Sequence, residues 1–161
     1  MSRVWVVNAS PLILLGKIGH IDLLSRLSDE LVVPEAVARE VGAKPEGERA
    51  VSEVGSLSRA RFAADILTPP EIAVWNLGIG ESQVLAIAAA SPGSRAVLDD
   101  MEGRRCAQSL GLPVIGTLGV VLRAKRQGVI EKARPVIEEL RGVGLYVSDP
   151  LIEQTLAHVG E

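Results

Sequence analysis

Two adjacent carboxylates, Asp99 and Asp100, close the apolar run Ala96-Val97-Leu98, and no other stretch of the chain is better equipped for chemistry. A short aliphatic run of this kind reads as a buried strand, and in open α/β sheets ligands gather beyond the carboxyl ends of such strands. The pattern from Met101 to Leu110 reads as a helix, so the pair stands at a strand-to-helix junction with its free backbone donors and partial positive charge. Asp100 also suits the plainer task of capping that helix. Two other runs end in polar residues: Val4-Val7 at Asn8-Ala9-Ser10-Pro11, and Pro113-Val114-Ile115 at Gly116-Thr117. In a parallel sheet all these ends share one edge, which brings Asn8, Ser10, Asp99, Asp100 and Thr117 toward one rim. Glu40, late in one helical pattern, and Glu81, in the first turn of another, are the remaining acids set at element ends beside apolar runs. Their plainer readings are an exposed helix-end acid and a charge favouring a helix N-terminus, while Ser10 and Thr117 suit helix caps. Grouped carboxylates repel unless a divalent cation or shared protons compensate, and oxygen ligands favour Mg²⁺ or Mn²⁺ over zinc.

The elements that must hold these residues are legible as alternating strands and helices. Val4-Val7, Leu31-Val33, Ala96-Asp100 and Pro113-Gly116 read as strands, with Arg61-Leu67 a marginal one and Leu145-Val147 a last short one. Helical patterns cover Leu12-Lys17, Ile21-Leu27, Glu35-Val41, Glu71-Leu77, Glu81-Ala90, Met101-Leu110, Leu118-Arg126, Ile130-Arg141 and a C-terminal segment after Ser148-Asp149-Pro150. Residues 43–60 read as an exposed, partly helical excursion. This alternation implies a short, mostly parallel sheet of four or five strands with helices on both faces, a three-layer α/β arrangement. With 161 residues, 47% of them hydrophobic, residues 1–161 are expected to form one domain.

Composition excludes several classes. A net charge of -3 argues against bulk electrostatic attachment to nucleic acid, so any such contact must use a local patch. Trp5, Phe62, Trp75 and Tyr146 are too few for a base-stacking platform. The single Cys106 and the separated His20 and His158 offer no zinc spacing. No apolar stretch reaches the roughly 20 residues that span a bilayer, and no basic leader is evident, so the expectation is a cytoplasmic protein with no membrane partner. A response-regulator receiver would carry paired acids after its first strand, whereas the first strand here ends in Asn8. Gly78-Ile79-Gly80 lacks the third glycine and preceding strand of a dinucleotide fingerprint. Arg104 and Arg105 are candidate phosphate contacts, as is Lys125, although Arg104 is also spaced to pair with Asp100.

Taken in order, Asn8-Ala9-Ser10, Val33-Pro34-Glu35 opening the helix of Glu40, Gly80-Glu81-Ser82, and Val97-Leu98-Asp99-Asp100 with Arg104-Arg105 carry a resemblance over almost the whole chain. The chain resembles the PIN-domain ribonucleases, the group that includes the VapC-type toxins of toxin-antitoxin pairs. Gly111-Leu112-Pro113-Val114-Ile115-Gly116-Thr117-Leu118-Gly119, followed by Ala124-Lys125, is similar to one subgroup of PIN proteins. The resemblance implies a metal-dependent endoribonuclease holding Mg²⁺ or Mn²⁺. In it Glu40, Glu81 and Asp99 match the catalytic acids, Asn8, Glu81, Asp99 and Asp100 surround the metal, Ser10 and Thr117 assist, and Arg104, Arg105 and Lys125 meet RNA. It also implies a homodimer and, for a toxin, a small antitoxin partner. Asn8 stands where similar proteins usually have Asp, and an amide offers one neutral oxygen in place of a charged carboxylate. Metal affinity is expected to fall. The alternative expectation is therefore a PIN-fold module that binds nucleic acid or protein with weakened or lost catalysis.

Overall fold

The computed structural model describes residues 3–161, built on five parallel strands in the order β3-β2-β1-β4-β5. In chain order these are β1 (Val4–Val7), β2 (Glu30–Pro34), β3 (Ala60–Ala63), β4 (Ser94–Val97) and β5 (Val114–Ile115). Between β1 and β2 lie α1 (Ala9–Lys17) and α2 (Asp22–Leu27), and between β2 and β3 lie α3 (Glu35–Gly42) and α4 (Gly47–Ser56). The stretch from β3 to β4 holds α5 (Pro70–Ala73) and α6 (Ile79–Ala90), and α7 (Met101–Ser109) joins β4 to β5. The chain ends with α8 (Thr117–Arg126), α9 (Ala133–Gly142) and α10 (Asp149–Ala157).

Trp5, Val6 and Val7 are all buried, so the central strand is covered on both faces, as parallel sheets require. α6 packs against β1, β2 and β4, while α8 packs against α2 and brings Arg123 over the Trp5 ring. One hydrophobic cluster runs from Trp5 through to Leu156. The three-layer α/β arrangement expected from the sequence is therefore the one observed, with every strand pair parallel.

Several elements differ from their expectation. Leu145-Tyr146-Val147 forms no strand: the segment is loop, and Tyr146 stands fully in solvent. A three-residue apolar run suffices for the pattern, but none of the five strands pairs with it. The helix expected from Ile130 begins at Ala133. α4, read as an exposed excursion, buries Ala50 and Val54, which one helical turn places on the same face. β3 stops at Ala63 rather than Leu67, because beyond it Gln83 of α6 takes the place of a strand neighbour. Its Oε1 accepts from the Ile66 N–H at 2.9 Å and its Nε2 donates to the Ile66 carbonyl at 2.7 Å.

Candidate functional site

The register of the sheet decides what meets at its carboxyl edge. Val7 pairs with Val97, and one step further the Asn8 N–H donates to the Val97 carbonyl at 2.9 Å. On the other side of β4 the Leu98 N–H donates to the Ile115 carbonyl at 3.0 Å. The ladder thus runs one residue past the strands, and Asn8, Asp99 and Gly116-Thr117 emerge side by side.

Asp99 is the hub of one half of the site. Its carboxylate accepts from the Ser10 hydroxyl at 3.1 Å, the Thr117 N–H at 2.8 Å and the Thr117 hydroxyl at 2.7 Å. This corrects the reading of both hydroxyl residues as caps of their own helices. Asn8 and Gly116 hold the N-cap positions of α1 and α8, and neither helix has a side-chain cap of its own. An ionised carboxylate reached across the sheet edge is a stronger acceptor than local backbone, and the N-terminus of α8 favours its charge. The Arg104 guanidinium lies on the same side: a Cβ on Gly116 would collide with it and would come within 2.9 Å of Asp99 Oδ1. Arg104 forms no ion pair with Asp100 among the described residues, so the helical i,i+4 pairing open to it is not made.

The other half is the acid cluster. Asp100 is the N-cap of α7, its Oδ2 accepting from the Gly103 N–H at 3.0 Å. Glu81 of α6 faces it. Burial pushes the Glu81 carboxyl up to about 7, with a hydrogen bond and the charge of Asp100 adding to this and the charge of Glu40 contributing least. Glu81 Oε1 is buried and has no hydrogen-bond partner among the described residues. Two glycines make the room: a Cβ on Gly103 would overlap Glu81 Oε1 and touch Leu98, and one on Gly80 would lie 2.7 Å from Glu40 Oε2. In the sequence Gly80 and Gly116 figure only as members of motifs and Gly103 not as a site residue, and none of the three is given this spatial role. The signal was glycine at a helix start, in the first turn of α6 and α7 and at the N-cap of α8, where a missing side chain leaves room for a close approach.

The remaining predicted residues lie apart. Arg105 is exposed and pairs with Glu102 at 3.0 Å. Lys125 sits near the far end of α8, where its ammonium donates to the Glu131 carbonyl at 2.6 Å and lies 3.7 Å from Glu161. It belongs to a C-terminal contact and not to the acid edge. Asn8 is buried, with its side chain making no hydrogen bond among the described residues.

Among the described residues no three acids, histidines or cysteines stand together in a metal-ligating group. Mg²⁺, however, commonly takes only one or two carboxylates and keeps several waters. Glu81 and Asp100, with Glu40 near enough to repel Glu81 and one Glu81 oxygen orphaned among the described residues, supply hard oxygen donors short of positive charge, and in chemistry they fit such an ion. A pH dependence follows from the raised Glu81 carboxyl. Its stabilising neutral form is fully present below about 4.5 and is lost as pH rises through about 7. In EDTA the unfolding free energy is expected to fall by roughly 2 kcal/mol across that window, after discounting for the partial exposure of the group. Urea midpoints of native protein and Glu81→Gln, compared from pH 4.5 to 8, check this: the variant should lack that part of the decline.

No curated protein matches the chain. A family profile described as a PIN domain matches residues 4–161, from the first strand through the last helix. A match of this extent takes in Asn8, Glu40, Glu81, Asp99 and the sheet that gathers their elements, and it shows that the chain belongs to the PIN-domain family.

Proposed function

We propose that this protein is a metal-dependent endoribonuclease whose centre is the pair Glu81 and Asp100, with the charge of Glu40 nearby, at the carboxyl edge of the sheet. PIN domains are in general nucleases, and the observation that carries the finer reading is the uncompensated negative charge: Glu81 pushed up to about 7 with a buried oxygen lacking any partner among the described residues. Glu81 and Asp100 would hold Mg²⁺ or Mn²⁺, which when bound supplies charge neutralisation and an activated water for phosphodiester hydrolysis. To hold the ion, Glu81 would have to be in its ionised form. Asp99 acts chiefly as a positioning residue, its oxygens tying α1 and α8 to the end of β4. Arg104, beside Asp99 and Gly116, offers a planar guanidinium to a phosphate of the strand being cut.

The test is cleavage of a structured RNA in Mn²⁺ against EDTA, with Glu81→Gln alongside. Cleavage that needs the metal and falls at least tenfold in the variant is the expected result. Equal rates with and without metal, or in both proteins, would sink the assignment. One observation favours a second reading, a PIN module with weakened catalysis: Asn8 brings a neutral amide, with no hydrogen bond to hold it, where a charge is wanted. In a toxin role, Ile79 and Met101, exposed and next in sequence to the Gly80-Glu81 and Asp100 positions, supply apolar surface for a small antitoxin. A homodimer belongs to the same proposal, and sedimentation of the isolated protein tests it.

A further inference from the structure

The acids of the candidate site occupy one edge of the sheet, and at the other, beside Asp29 and Glu30, several arginines gather. Arg3 precedes β1, Arg95 is the second residue of β4 and pairs in register with Trp5, and Arg123 and Arg126 lie in the last turn of α8. α8 starts beside Asp99, so its length of about 15 Å carries those last residues back to the amino edge. The Arg123 guanidinium stands 5.9 Å from the centroid of the Trp5 ring. Arg3, Arg95, Arg123 and Trp5, with Gly93 and Pro113, line a cavity of about 80 Å³. Arg3 is engaged by Asp29, but Arg95, Arg123 and Arg126 form no ion pair among the described residues. Burial lowers the Arg123 pKa, and Arg95, Arg3 and Arg126 lower it further in that order.

A guanidinium does not give up its proton in a protein, so these like charges cannot relax by neutralising. They are relieved by an anion. Guanidinium forks match phosphate oxygens two at a time, and Arg rather than Lys is the residue type suited to that geometry. Trp5 is 1% exposed and offers no face for a base to stack on, which leaves a compact oxyanion as the group the cavity suits. We infer that the cavity bounded by Arg3, Arg95 and Arg123 over Trp5 is a binding site for one phosphate group, free or carried by RNA, separate from the acids of the opposite edge. It does not depend on the ribonuclease reading, since neither Glu81 nor a metal takes part.

The indole beneath the arginines supplies a direct readout. Trp75→Phe leaves Trp5 as the sole tryptophan, and its emission is followed while sodium phosphate is added at pH 7 with ionic strength held constant by sodium chloride. A saturable change, with a matching rise in Tm, is expected. Arg95→Gln and Arg123→Gln, each in that background and each checked for native circular dichroism, should weaken phosphate at least tenfold, while Arg49→Gln on α4 should leave it unchanged. If Arg123→Gln fails to fold, Arg95→Gln decides alone. A response that follows ionic strength only, or equal affinity in native and variant proteins, overturns the site. The source is separated by competition with a short RNA bearing a 5′-phosphate or a 5′-hydroxyl. Displacement by the first alone points to a terminal phosphate, by both to the backbone, and by neither to free phosphate.

Discussion

Asp99→Ala is expected to lower the unfolding free energy by about 3 kcal/mol, because it strands two donors of Thr117 in a buried position. Thr117 is wholly buried, and both its N–H and its hydroxyl donate to the Asp99 carboxylate, with Ser10 as a third donor. Each unsatisfied buried group costs about 1–3 kcal/mol, and the loss also frees the start of α8 from the end of β4. For a chain of this size the fall in Tm is about 6–12 °C. Asp99→Asn keeps one carbonyl oxygen for one of the Thr117 donors and should recover about half of the loss. Urea unfolding of the two variants reads this directly. If both stay within about 0.5 kcal/mol of the native protein, Asp99 is not the tie that joins the two helices. The result also guards the activity assay, since lost cleavage in Asp99→Ala would not by itself make Asp99 a metal ligand.

Asn8→Asp is expected to tighten Mn²⁺ binding about 100-fold, equivalent to about 2.7 kcal/mol. Asn8 is buried at the end of β1, one ladder step from Leu98, and its side chain is held by no hydrogen bond among the described residues. A carboxylate there adds a full negative charge to an edge already short of positive charge. The same charge should destabilise the metal-free protein by adding to the negative charge at the carboxyl edge, where Asp99 emerges beside it, so the variant should be weaker than native in EDTA and more stable in saturating Mn²⁺. Calorimetric titration of both proteins measures the affinities. Indistinguishable affinities would place Asn8 outside the metal's surroundings and remove the case for a catalytically weakened module.

What the sequence determined by itself was the part of the fold carried by local periodicity and punctuation. The Val4-Val7 strand, the helix opened by Pro34-Glu35, the apolar helix after Gly78 and the cap at Asp100 follow from neighbouring residues, and all four are observed. The meeting of Asn8, Asp99 and Thr117 at one edge also followed, because parallel strands leave their carboxyl ends together whatever their separation in the chain. Only the tertiary structure decided how those side chains are used. Ser10 and Thr117 had local backbone within reach, yet both turn to Asp99, since an ionised carboxylate across the edge is the better acceptor. Gln83 looked like an ordinary member of an apolar helix and instead finishes the edge of β2 and β3 through Ile66. Lys125 looked available to RNA until the C-terminal Glu161 was folded against it. The arginines of the amino edge are set far apart in the chain, at 3, 95 and 123, and only packing brings them over Trp5. The sequence pointed to Asp99 as the metal ligand and Asp100 as the capping acid; the fold keeps the cap and also turns Asp99 to Ser10 and Thr117. Asp99 faces the hydroxyls that bind two helices together, and Asp100, as the N-cap of α7, faces Glu81.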